Sequence, residues 1–98
     1  SFKNGTYTVT GDYVSPDGTQ QIEVTLTLLD GVVTSASVTP KADAPTTRQY
    51  QNLFASDYKK FVVGKSISDL KLNRVSGSSL TPQGFNDAVE KIKAQAGV

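Results

Sequence analysis

The chain carries 98 residues, a formal net charge of +1 from 10 basic and 9 acidic residues, and no Cys, His, Met or Trp. That length supports one domain over residues 1–98, able to bury roughly 60–70% of its unfolded surface in a single core. The composition excludes disulfides, thiolate chemistry and histidine-based triads, and it leaves carboxylates as the only strong metal ligands, which argues against zinc and iron–sulfur sites.

Asn4-Gly5 opens a strand over residues 6–14, with Tyr7, Val9 and Tyr13 on one face. Ser15-Pro16-Asp17-Gly18 composes a turn, because Pro presets φ and Gly accepts φ > 0. Residues 20–29 alternate as a half-buried strand does: Ile22, Val24, Leu26 and Leu28 on one side, Gln21, Glu23, Thr25 and Thr27 on the other. Asp30-Gly31 is the preferred two-residue hairpin turn. Residues 32–39 return as a third strand, with Val32, Thr34, Ala36 and Val38 on one face.

Residues 40–45 begin and end in proline and read as a surface loop. Thr46 or Thr47 is expected to cap a helix running to about Val63. Its apolar stripe is Tyr50, Leu53, Phe54, Tyr58, Phe61 and Val62, and Gly64 stops it. Residues 65–73 are short and mixed, with Ile67, Leu70 and Leu72 as anchors to the core. The last helix places Phe85, Ala88, Val89, Ile92 and Ala96 on one face, with Thr81 as N-cap, Pro82 at the first helical position and Gly97 at the end. Strands followed by helices predict an α+β fold: an antiparallel β-meander with two helices packed on one face. Phe54, Tyr58 and Phe61 are then expected in the core.

Between these elements and the last helix lies Val75-Ser76-Gly77-Ser78-Ser79-Leu80-Thr81-Pro82. The first turn of a helix leaves N–H groups unpaired and carries partial positive charge. A glycine among small hydroxyl residues placed there suits a bound phosphate, but glycine and serine are also common before helices simply because they turn and cap. Lys65 and Arg74 are candidate charge partners for a phosphate or simply solvated charges. The charge is otherwise dispersed, with no basic run longer than Lys59-Lys60, so there is no stripe for nucleic acid. No apolar run approaches the ~20 residues that span a bilayer. The start at Ser1 without a signal peptide, together with the many Ser and Thr, suggests a trimmed segment of an exported protein. The carboxylates are scattered and make no general acid–base pair. Ser76 or Ser79 with Lys65 as base has the residue types of a hydrolase, but no supporting spacing.

Three stretches resemble the small FMN-binding domain found in the C subunit of sodium-pumping NADH:quinone reductases, in related electron-transport complexes and in bacterial extracytoplasmic flavoproteins. They are Phe2-Lys3-Asn4-Gly5-Thr6-Tyr7, the hairpin built on Ile22-Glu23-Val24-Thr25-Leu26 and Leu29-Asp30-Gly31-Val32-Val33, and Asn73-Arg74-Val75-Ser76-Gly77-Ser78-Ser79-Leu80-Thr81 with Phe85-Asn86-Asp87-Ala88-Val89 behind it. The last is similar to that family's Asp-x-x-Ser-Gly-Ala-Thr-x-Thr signature. Asn73, Ser78 and Ser79 stand where the family has Asp, Ala and Thr.

The resemblance implies an electron carrier or binding domain rather than a catalyst. Its flavin would be linked through the FMN phosphate to Ser79 by a flavin transferase, or would be held non-covalently. Ser76, Gly77 and Ser78 would line the phosphate, with Thr81 and Asn73 beside it. The flavin ring would lie between this loop, the sheet and residues 40–45. The implied setting is extracytoplasmic, at a membrane or cell surface, with a redox partner protein. The alternative implied by the three departures is a flavin-free binding or structural module of a cell-surface protein that keeps the fold.

Overall fold

In the computed structural model of the chain, β1 (Gly5–Ser15), β2 (Gly18–Leu29) and β3 (Val32–Pro40) form an antiparallel sheet in the order β1-β2-β3. The structure describes residues 2–16, 18–75 and 80–97. The alternation of β2 decides which face is covered. Ile22, Val24, Leu26 and Leu28 are all buried, and Gly11, Val9, Tyr7 and Gly5 lie opposite them on β1. The other face stays in solvent and is lined with hydroxyls; Thr6–Thr27 and Thr8–Thr25 form cross-strand rungs, with oxygens 3.0 and 2.9 Å apart. At the β2–β3 hairpin, Asp30 (φ 54°) and Gly31 (φ 78°) both take the left-handed backbone that a tight two-residue turn needs. Asn4 Oδ1 accepts the Asp30 N–H at 2.8 Å.

The third strand departs from strict alternation. Thr27 pairs with Ser35 and Leu28 with Val33, so Thr34 is an extra residue in a β-bulge. Val33, not Val32 or Thr34, therefore enters the core ahead of Ala36. The three-stranded meander, the covered face and the two helices are as the sequence predicts.

α1 (Pro45–Asp57) starts at Pro45, with Ala44 in the N-cap position, instead of being capped by Thr46 or Thr47. Proline lacks the N–H that would be left unpaired and presets the helical φ, so it begins the helix where the polar residues do not. The α-helical part ends at Asp57 and tightens into a 3-10 turn, Tyr58–Phe61, rather than continuing to Val63. This changes which side faces inward. Thr47, Gln51, Phe54 and Tyr58 are buried, whereas Tyr50, Leu53 and Phe61 are 48%, 41% and 44% exposed. Phe61 is therefore not a core residue, and Lys60 Nζ lies 5.3 Å from its ring centroid.

α2 (Thr81–Ala96) lies across β1 and β2, while α1 lies against β3; the rings of Phe54 and Phe85 meet between them. Two glycines let α2 come close to the sheet. A Cβ on Gly11 would collide with the Gly84 carbonyl, and one on Gly84 would sit 2.6 Å from Tyr13 Cδ1. Side chains of α2 also close the outer edge of β1. Asp87 accepts the Asp12 N–H at 2.8 Å and Lys91 donates to the Thr10 carbonyl at 2.6 Å. Lys91 bridges both carboxylates at 2.9 Å, and its hydrogen bond holds the Asp12 carboxyl below its ordinary range. At its far end α2 is tied to the N-terminal segment, where Lys3 N–H donates to Ala96 O at 2.8 Å.

Candidate functional site

Ser76, Gly77, Ser78 and Ser79 lie outside the described residues, and what the structure supplies is the frame that carries them. On the upstream side, residues 67–75 run back along α2. Ser68 O accepts from Lys93 Nζ at 3.5 Å near one end. Further along, Asn86 grips the backbone of Leu72 twice: Leu72 N–H donates to Oδ1 at 2.8 Å, and Nδ2 donates to Leu72 O at 2.7 Å. Leu70, Leu72 and Val75 are buried, so this strip is fastened both by apolar packing and by hydrogen bonds. Asn73 and Arg74 lie between these anchors and are exposed.

On the downstream side, Leu80 packs against the core and occupies the N-cap position, its carbonyl accepting Gln83 N–H at 2.9 Å. Thr81 is thus the first helical residue instead of the cap, and it is 1% exposed. The helix starts one residue early because the apolar Leu80 is held by packing. The first turn of α2 contains no acidic residue, which leaves the positive end of the helix dipole uncompensated by its own side chains.

Beneath the start of α2 sit three rings. Phe54 and Tyr58 stack with centroids 5.2 Å apart, and each meets Phe85 at 5.7 Å. All three are fully buried, so none presents a ring face to a ligand. The Tyr58 hydroxyl has no hydrogen-bond partner among the described residues, and burial pushes its pKa up to about 12.

Beside this lies a polar hub that the sequence hides. Gln51 is fully buried, yet all of its side-chain capacity is used. Its Nε2 donates to Tyr13 Oη at 2.8 Å and to Gln21 O at 3.0 Å; its Oε1 accepts from Lys41 N at 2.9 Å and from Ala42 N at 3.0 Å. One amide therefore binds α1, β1, β2 and the strap of residues 41–44 together. On the outer side of that strap, an open groove of about 540 Å³ runs between residues 19–21 and 41–44. A second groove of about 360 Å³ lies between Asp43 and the exposed side of α1.

The sheet register separates the two candidate charge partners. Gly84 lies over Gly11 and Tyr13, so α2 begins at the end of the sheet where the strap crosses. Lys65 pairs with Val33 at the opposite end, its carbonyl accepting Val33 N–H at 2.9 Å. Lys65 is thus remote from the α2 N-terminus, whereas Arg74 is next to the hydroxyl loop in sequence and exposed. Ser76 and Ser79, the other half of the Ser–Lys65 pairing, lie outside the described residues.

No protein-family model, no curated protein and no solved structure matches the chain.

Gln51 and Asn86 are the supports that sequence reasoning missed, whereas Tyr58 is buried as its place in the apolar stripe predicts. Gln51 and Asn86 are polar residues whose partners, backbone groups and the Tyr13 hydroxyl, lie nine or more residues away, and no local spacing announces them. Gly11 within a strand run and Gly84 within a helical run are local signals of close backbone approach.

Proposed function

We propose that this chain is a small FMN-carrying, electron-transfer domain whose flavin is tethered through its phosphate to Ser79. The observation that carries this reading is the double fastening of the signature loop. Asn86 clamps the backbone before it, and after it the partly buried Leu80 packs on the core ahead of the buried Thr81 and Pro82. A tethered cofactor needs such a rigid base, since it must be presented to a partner protein in a fixed orientation. The described residues fit the phosphate end. The first turn of α2 has no carboxylate to repel it, and the exposed Arg74 lies just upstream. Asn73, Ser76, Gly77, Ser78 and Thr81 are the proposed surroundings of the phosphate. Bound flavin would supply the redox chemistry, and the chain would hold and orient it. The reading carries with it an extracytoplasmic or cell-surface setting, a flavin transferase and a redox partner protein.

A second reading is favoured by one specific observation. Phe54, Tyr58 and Phe85 pack their rings on each other and are fully buried, so none of the three offers a face to a flavin. A flavin-free binding or structural module that keeps the fold matches that arrangement and the Asn73, Ser78 and Ser79 departures. Intact mass separates the two. Protein made with a flavin transferase should gain the mass of FMN less one water, and Ser79→Ala should not. An unchanged mass, together with no yellow protein after mixing with FMN, would overturn the flavin reading in favour of the second.

A further inference from the structure

The two edges of the sheet are treated differently. The β1 edge is closed by α2, through Asp87 on the Asp12 N–H and Lys91 on the Thr10 carbonyl. Among the described residues, the β3 edge is closed only at its start, where Val33 N–H donates to Lys65 O and Gly64 N–H donates to Val33 O. Past the Thr34 bulge, residues 35–39 form the sheet's outer strand, and no described residue hydrogen-bonds to their outer side. Their side chains are Ser, Ala, Ser, Val and Thr, all small and uncharged. An unpaired strand edge is a template for another strand unless charge or proline blocks it, and here Pro40 only bounds the segment.

We propose that this edge pairs with its own copy, residues 35–39 of two chains running antiparallel about a two-fold axis at Ser37 to make a six-stranded sheet. The sequence is self-complementary in that register. Ser35 falls opposite Thr39 and Ser37 opposite Ser37 on the solvent face. This continues the hydroxyl-to-hydroxyl rungs already formed by Thr6–Thr27 and Thr8–Thr25 at 3.0 and 2.9 Å. Ala36 falls opposite Val38 on the core face, a small residue against a branched one. An odd register would place hydroxyls toward the core layer and is disfavoured for that reason. The same operation brings the copies of α1 into one layer, because α1 lies against β3. The exposed side of α1 carries Tyr50 and Leu53, 48% and 41% exposed. The pairing is independent of flavin.

The absence of cysteine gives a clean test. Opposed residues of an antiparallel pair have Cα atoms about 4.5–5.5 Å apart, within disulfide range. Two copies of residue 35 would be about 13 Å apart, four residues along the strand. Purified Ser37→Cys should therefore form a disulfide-linked dimer under mild oxidation much faster than Ser35→Cys, with both variants melting as the parent chain does. The parent chain should show concentration-dependent dimer by sedimentation equilibrium, and Ser37→Lys, which sets lysine against lysine, should weaken it by about tenfold or more. Equal cross-linking of the two cysteine variants overturns the proposal. So does a parent chain that stays monomeric at every concentration, as it would if the edge served a strand from another protein.

Discussion

Replacing Gln51 by alanine would strand four polar groups at once: the amides of Lys41 and Ala42, the carbonyl of Gln21 and the hydroxyl of Tyr13. Water reaches part of that region from the groove, so not every group bears the full penalty of a buried orphan. A loss of about 3 kcal/mol is expected from the denaturation midpoint, far more than a surface glutamine is worth. Tyr58 is its opposite, a buried polar group with no hydrogen-bond partner among the described residues. Tyr58→Phe removes that unmet hydroxyl and should raise stability by about 1 kcal/mol. The same hydroxyl predicts an alkaline limit. An unfolded tyrosine ionises near 10.0 and Tyr58 in the fold near 12, so the native state holds one more proton between those values. Stability should then fall as pH rises through that window, and should fall less steeply in Tyr58→Phe. Neither role announced itself in the sequence. Gln51 lies outside the apolar stripe that the spacing picks out, and Tyr58 belongs to that stripe, but the surroundings of its hydroxyl depend on neighbours from other elements.

At the level of elements, the strands were legible almost to the residue, because β2 alternates without error and Asp30-Gly31 allows only one tight turn. Thr34 shows where that legibility ends. A bulge is decided by how two strands share their hydrogen bonds, and the inward residue moves from Val32 to Val33 with no change in composition. The first helix fails in the same way. Its apolar residues fit a helical period to Val63, but the chain tightens at Tyr58 to bring Val62 and Ile67 into the core, leaving Tyr50, Leu53 and Phe61 outside. The contact of α2 with β1 rests on Gly11 and Gly84, which predicts an asymmetric pair of substitutions. Gly11→Ala meets the backbone carbonyl of Gly84, which cannot step aside without moving the helix, and should cost about 3 kcal/mol or more in thermal melts. Gly84→Ala meets a side chain and regains up to ~1 kcal/mol of helix propensity, so its net loss should be the smaller of the two.

For the whole molecule, the layout is polar from end to end. One end of the sheet holds the hairpin turn, the Lys65 pairing and the last residues of α2; the other holds the start of α2, the strap and the grooves. The hydroxyl loop was legible only as a glycine-and-serine stretch before a helix, a pattern shared by phosphate cradles and plain helix caps. The frame around the start of α2 was not legible, because Asn86, Gln51 and the aromatic triad are assembled by pairings that span the chain. That frame has a consequence for observing the loop. Gly84 rests on the Tyr13 ring, the Tyr13 hydroxyl is held by Gln51, and Gln51 in turn holds the amides of Lys41 and Ala42. Those two amides are natural reporters. Loading the loop with a phosphate-linked cofactor should shift their NMR signals while Val24 and Leu26 in the sheet stay still. Tyr13→Phe, which removes the hydroxyl between helix and strap, should silence that response.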